Sequence, residues 1–411
     1  MDLLGLETPL AGAHVVSFVL VASETKIRAR HRPGRGGVTR GNTAAALVST
    51  WLPDHGISEE APMTTTFHPG GPGGPGGGRP DDEQRARAFF AGGFATTMRS
   101  NRAAWERLAL APRILRGIGA VDASTRLLGI RLEAPILFAP VSSLGLAHSD
   151  GEVAVARAAR AAGLGLVLSS EPSRSIPEVT AVSGPYLQQV YLPERREAMT
   201  DFLQEAVTHG AAAIVFTVDQ TSVGGQPGFR DAIYDPRLGD QRARSGGHGS
   251  AKLATAPDLR WDDIAWLRRV TGLPVVVKGV LRPDDARRCL DAGAAGIVVS
   301  NHGGRQLSGA VATATALPGI RAAVGPDVPV LVDSGIRTGE DVLRALALGA
   351  DGVLVGHPVA EHLLDGPDAL LAYARGLRRG FERVCALCGV RTPAEIGPDL
   401  LAQPADAHRW S

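Results

Sequence analysis

Ala295-Gly296-Ile297-Val298-Val299-Ser300-Asn301-His302-Gly303-Gly304-Arg305-Gln306-Leu307 is the stretch that decides the reading of this chain. Its first half is a short apolar run, which predicts a buried strand. Its second half breaks on two glycines, which allow a sharp turn and a close backbone approach to a ligand. A strand that ends this way delivers His302 and Arg305 to one spot. A histidine is a proton acceptor near neutral pH, and an arginine can grip a carboxylate through two parallel hydrogen bonds.

Seven more apolar runs share this form, at 136–140, 165–170, 186–191, 213–219, 275–279, 330–335 and 353–357; with 296–302 they make eight. Near-continuous apolar strands are buried on both faces, as in a parallel sheet. Amphipathic Ala/Arg/Leu-rich segments lie between them, such as 151–162, 284–292 and 339–348. Eight strand–helix units over about 250 residues predict an α/β fold, a (β/α)8 TIM barrel. Chemistry in such a barrel sits at the C-terminal strand ends. Those ends carry Pro140 with Ser142, Ser169, Gln189 with Tyr191, Thr217 with Asp219, Lys278, Ser300 with His302, Asp333, and Gly356 with His357. Core packing does not call for so many polar groups. Asp333-Ser334-Gly335-Ile336-Arg337 and Gly356-His357 follow the last two strands, where barrels hold phosphate on backbone N–H groups and a cation, here Arg337.

The flanks differ from this middle. Residues 1–80 are expected to be a disordered Gly/Pro-rich extension, 81–393 the barrel and 394–411 a tail. Met63 precedes a polar leader and is expected to be the true start. The apolar stretch 9–22 follows Asp2 and Glu7 rather than basic residues, which argues against a secretory signal. No run reaches the ~18 apolar residues of a membrane span. The long segment between Gln220 and Trp261 is expected to be either a lid or disordered.

The 411 residues are 44% hydrophobic, enough for a sizeable core, and 43 basic against 42 acidic side chains leave a charge of +1. Neither nucleic acid nor an anionic membrane is expected as a partner. Three cysteines, Cys289, Cys385 and Cys388, are too few and too odd in number for a disulfide framework and fit a reducing, cytoplasmic compartment. Cys385 and Cys388 have metal spacing but no second pair, so no metal is expected.

The chain resembles the FMN-dependent 2-hydroxy-acid oxidases and dehydrogenases: glycolate oxidase, lactate oxidase, mandelate dehydrogenase and 4-hydroxymandelate oxidase. The likeness runs over roughly residues 85–392 and is carried by Ser300–Leu307, Ala139-Pro140, Gln189-Val190-Tyr191, Thr217-Val218-Asp219, Val277-Lys278-Gly279 and Asp333–Arg337. It implies FMN held by Pro140, Val141, Ser142, Ser169, Gln189, Thr217, Lys278 and Ser300. The phosphate would lie on Asp333, Ser334, Gly335, Ile336 and Arg337 with Gly356 and His357. It implies His302 as base, Asp219 behind it, Lys278 beside the flavin, and Arg305, Tyr191 and Phe89 on the substrate. The expected partners are a small hydroxy acid or a masked derivative, and oxygen or another electron acceptor, with a homo-oligomer such as a tetramer as the assembly.

The chain departs from the family pattern at four places. The family's second substrate arginine falls on Gly225-Gln226, so Gln226 is expected at that place. Phe89 replaces a usual tyrosine, Ser308 follows Leu307 where aspartate is usual, and His357 replaces the arginine after Gly356. A missing arginine removes charge-assisted hydrogen bonds of roughly 1.5–3 kcal/mol each. A larger or carboxylate-masked substrate is therefore expected. An FMN barrel with a different reaction and a non-catalytic flavin binder are the alternatives, and the residues do not choose between hydride and carbanion chemistry.

Overall fold

Eight short strands, each apolar on both faces, pair in parallel and close on one another in a computed structural model. It describes residues 80–220 and 255–402. The expectations for 1–79, for Met63, for the segment around Gln226 and for 403–411 lie outside the described residues.

Two strands precede the barrel: β1 (Thr125–Leu127) and β2 (Ile130–Leu132), an antiparallel hairpin. The barrel strands are β3 (Ile136–Phe138), β4 (Gly165–Leu168), β5 (Tyr186–Val190), β6 (Ala211–Thr217), β7 (Val275–Val280), β8 (Gly296–Val299), β9 (Val330–Val332) and β10 (Gly352–Val355). They lie in sequence order, and β10 returns to β3 with Val353 opposite Ile136. The chain is thus a (β/α)8 barrel.

Alternation along each strand sorts the core into two layers. Leu137, Val167, Leu187, Val215, Val276 and Val298 fill the inside, and Leu127, Ile130 and Leu132 of the hairpin join that cluster. The hairpin therefore packs with the barrel interior. Ile136, Phe138, Leu168, Phe216, Val277 and Val299 face outward under the helices.

Several helices open on acidic first turns, and two on a capping box. Those outside the barrel are α1 (Pro80–Ala91) and α2 (Ala95–Glu106). Next come α3 (Gly151–Ala162), α4 (Ile176–Thr180) and α5 (Thr200–Thr208), with Glu152, Glu178 and Asp201 in their first turns. Acidic first turns offset the N-terminal dipole. They continue as α6 (Asp262–Thr271), α7 (Pro283–Asp291), α8 (Thr313–Val324) and α9 (Gly339–Ala347), the last opened by a Thr338/Asp341 capping box. The last two are α10 (His357–Leu364) and α11 (Pro367–Leu387). Beyond α11, Leu401 bridges to Leu110 and Leu400 is buried, so residues through 401 pack on the barrel.

Most strands stop short of the polar residues expected at their ends. Asp219 lies two residues past β6, His302 three past β8 and Asp333 one past β9. At these points the backbone leaves the ladder and turns its groups toward a shared cleft.

Candidate active site

His302 has φ 57°, the left-handed region that a non-glycine residue rarely adopts. Local bonds hold it there. Its N–H donates to Ser300 Oγ at 3.0 Å, and the Asn301 side chain accepts from Gly304 N–H at 3.1 Å. The imidazole Nδ1 lies 2.8 Å from Asp219 Oδ1, and Nε2 lies 3.4 Å from the Tyr191 hydroxyl. A carboxylate on Nδ1 fixes the proton there and leaves the Nε2 lone pair toward the cleft. Asp219 can come this close because residue 279 is glycine: a Cβ there would stand 2.6 Å from Asp219 Cβ. Burial pushes the Asp219 carboxyl up. The charge and hydrogen bond of His302, together with Lys278, outweigh it, so the group stays below the usual carboxylate range.

Lys278 points from β7 into the barrel and is 4% exposed. Its Nζ donates to Ser300 Oγ at 2.9 Å and pairs with Asp333 Oδ2 at 3.1 Å. Burial alone would lower its pKa; Asp333 and then Asp219 reverse that, and the ammonium stays charged. Tyr191 shifts well upward, through burial first and then Glu171 and Asp219, so its phenol stays protonated.

Arg305 lies over the Phe89 ring at 5.9 Å. Its Nη2 donates to the carbonyls of Phe89 at 3.0 Å and Phe90 at 2.6 Å. Its Nε donates to His357 Nε2 at a long 3.5 Å. Burial pushes the guanidinium down to about 10, which leaves it cationic at neutral pH. Burial, with the charges of Arg305 and Arg337, pushes His357 down to about 3, so its ring is neutral.

Tyr191, Lys278, His302, Arg305 and His357 line one cleft, whose empty space of about 1010 Å³ includes the solvent at its open mouth. Pro140, Val141 and Ser142 form one wall; Thr217 and Lys278 lie at the strand ends. Ser334, Gly335, Ile336, Arg337, Gly356 and His357 also line the cleft. Ser334 and Gly335 both have positive φ, at 71° and 93°. Successive N–H groups in such a turn, with Arg337 alongside, suit a phosphate. Arg337 Nη1 also pairs with Glu361 at 3.0 Å. A wall of small groups, a buried cation and an anion cradle fit a flat ring that carries one phosphate, as FMN does.

Ser169, Gln189, Ser300 and Asp219 stand behind the cleft wall rather than on it. Ser169 Oγ accepts from Glu171 N–H, and Gln189 Nε2 donates to Thr217 Oγ1 at 3.2 Å. Gln226 lies outside the described residues. Glu171 and Phe90 line the cleft and were not singled out in the sequence. Glu171 directly follows Ser169-Ser170 at a strand end, which was the available signal. Among the described residues, no group of three or more His, Cys, Asp or Glu could hold a metal ion.

Fold and site together define a (β/α)8 barrel with a histidine–aspartate pair, a buried arginine and a turn of positive φ at one cleft. The FMN-dependent dehydrogenase family matches residues 83–403. An L-lactate oxidase of Alicycliphilus denitrificans is 44% identical, over 66% of this chain and 78% of its own. A peroxisomal (S)-2-hydroxy-acid oxidase of Oryza sativa is 39% identical, over 73% and 86%. Mandelate oxidase with (S)-2-phenylpropionate superposes with a TM-score of 0.68 at 37% identity, over 78% of this chain and 96% of that one. A variant of mandelate oxidase with 2-hydroxy-phenylacetamide gives 0.67 at 37% identity, over 78% and 96%. The chain belongs to the FMN-dependent dehydrogenase family; it is an FMN-dependent oxidoreductase that acts on the CH–OH group of 2-hydroxy acids.

Proposed function

We propose that this cleft oxidises an (S)-2-hydroxy acid, or a derivative with a masked carboxylate, to the 2-oxo product with His302 as base. One observation carries the reading: His302 Nε2 faces the Tyr191 hydroxyl while Nδ1 is held by Asp219, in the cleft that Arg305 lines. Arg305 and Tyr191 orient the acid group and the hydroxyl, so that the carbon to be oxidised meets His302. His302 takes one proton at Nε2, and Asp219 steadies the imidazolium that forms. Bound FMN would supply the acceptor for the two electrons and for the second proton. Lys278 keeps a positive charge at the floor of the cleft, where it offsets developing negative charge. Ser334 to Arg337 and the backbone N–H at the start of α10 would hold the phosphate, and Pro140 to Ser142 the ring.

The substrate is inferred to be bulky or masked. Phe89 and Phe90 give the cleft apolar rings, and one end of Arg305 is already engaged by their carbonyls. The mandelate oxidase variant solved with a 2-hydroxy amide supports a masked carboxylate. Relatives named as oxidases support dioxygen as the final acceptor. Three free, buried cysteines support a cytoplasmic location. Ile114 and Leu115, 79% and 97% exposed, support a homo-oligomer, a tetramer in our reading.

Anaerobic bleaching of the bound flavin tests the reading. The panel is glycolate, (S)-lactate, (S)-mandelate, methyl mandelate and mandelamide. Bleaching is expected, fastest with the aryl compounds. His302→Ala is expected to retain FMN and slow bleaching at least ~100-fold. A panel that leaves the flavin oxidised, or a His302→Ala variant as fast as wild type, would remove the proposal.

A further inference from the structure

We propose that His357 is a positioning residue for Arg305: its ring accepts the arginine's Nε–H and sets the plane in which the guanidinium meets a carboxylate. The inference rests on Arg305 being the carboxylate grip. His357 opens α10 directly after Gly356, and its side chain enters the cleft beside the Ser300–Arg305 turn rather than pointing only to the phosphate end. Two observations fix where the ring lies. Arg305 Nε donates to its Nε2 at 3.5 Å. A Cβ on residue 303 would come within 2.7 Å of its Cε1, so the ring packs on Gly303 and needs a glycine there. The Gly92 backbone, just past α1, lies beside the ring. It thus bridges Arg305 to the segment whose Phe89 and Phe90 carbonyls take the arginine's Nη2.

Acceptors on both sides leave the guanidinium little freedom to turn. Only an unprotonated ring can do this, and burial with two arginines nearby keeps it unprotonated at neutral pH. The arginine usual in the family at this place could only donate, and it would set a further cation beside Arg305 and Arg337. Replacing it with histidine turns a donor into an acceptor aimed at Arg305.

The test uses the holoenzyme and oxalate, a dianion with no C–H to oxidise, followed by its perturbation of flavin absorbance. FMN affinity is measured separately by fluorescence titration of the apoprotein. His357→Ala is expected to weaken oxalate about tenfold and leave FMN affinity within about twofold. His357→Gln, whose carboxamide oxygen can accept from Arg305, is expected to recover to within about threefold of wild type. His357→Arg is expected to weaken oxalate. With (S)-mandelate, the half-saturation for flavin bleaching is expected to rise in His357→Ala and the limiting rate to hold within about threefold. Should the alanine variant fail to fold, the contrast between Gln and Arg carries the test. Unchanged oxalate binding with weakened FMN in His357→Ala, or tighter FMN with unchanged oxalate in His357→Arg, would make His357 a phosphate ligand and overturn the proposal. Arg305→Leu separates the two readings. If it leaves oxalate binding intact, Arg305 is not the grip and both fall. If it weakens oxalate while His357→Ala does not, only the positioning role falls.

Discussion

Asp219 has one carboxylate oxygen on His302 Nδ1, while the other, Oδ2, is buried with no hydrogen-bond partner among the described residues. An orphaned buried acceptor costs about 1–3 kcal/mol. A structural carboxylate would not be kept in that state, and asparagine would fill the same space. The charge is what the site needs, because it stabilises the imidazolium when His302 takes a proton. Asp219→Asn is therefore expected to fold and hold FMN, yet to slow anaerobic flavin reduction by about 100-fold, read by stopped flow. A variant reduced within about threefold of wild type would show that Asp219 only packs. His302, Asp219, Lys278 and Arg305 were legible in the sequence because each follows or ends an apolar run, where core packing cannot explain a polar side chain. The partner of His357 was not legible. It depends on how α10 leaves β10 and on the turn at Gly303, two segments more than fifty residues apart.

At the scale of elements, the eight strands could be read from apolar runs, but the helix that holds the site could not. Helix α2 precedes the barrel and carries Thr97, Asn101 and Trp105 at four-residue spacing, hence on one face. Thr97 Oγ1 donates to Leu307 O at 2.9 Å, and Trp105 Nε1 donates to Ser334 O at 2.9 Å. Asn101 and Asn301 exchange amide hydrogen bonds at 2.9 and 2.7 Å. One helix face thus secures both the His302 turn and the Asp333–Arg337 turn. Two of the three, Thr97 and Asn101, are polar and interrupt the apolar stripe that marks a packed helix, so the pattern reads as an exposed surface. The hairpin of β1 and β2 was missed for a related reason. Its strands are three residues each, with Arg126 and Arg131 between the apolar positions, too short for periodicity to register. Asn101→Ala removes two buried hydrogen bonds, while Asn301 keeps its bonds to Gly304 N–H and Val311 O. A loss of about 2 kcal/mol is expected, seen as a melting point lower by several degrees. A melt within a degree of wild type would mean that water replaces the amide at no cost.

Taken whole, the barrel is apolar inside and polar at one end. Leu137, Val167, Leu187, Val276 and Val298 fill the interior together with the hairpin, while Thr217 and Lys278 mark the end that opens on the cleft. That open end gathers a buried ammonium, a carboxylate and two turn residues of positive φ, an arrangement costly in the absence of a ligand. A ligand that satisfies it binds the folded state alone and stabilises it by RT ln(1 + [L]/Kd), about 4 kcal/mol at a thousandfold excess over Kd. The apoprotein is therefore expected to melt at least ~5 °C higher with saturating FMN. Riboflavin offers the same ring without the phosphate. If the Ser334–Arg337 turn and the start of α10 hold that phosphate, riboflavin at equal concentration is expected to give less than about half the shift. Equal shifts in differential scanning fluorimetry would show that the ring wall and Lys278 supply the whole affinity, and that the turn after β9 serves only to clamp Gly303 through Ser334 Oγ, which accepts its N–H at 3.0 Å.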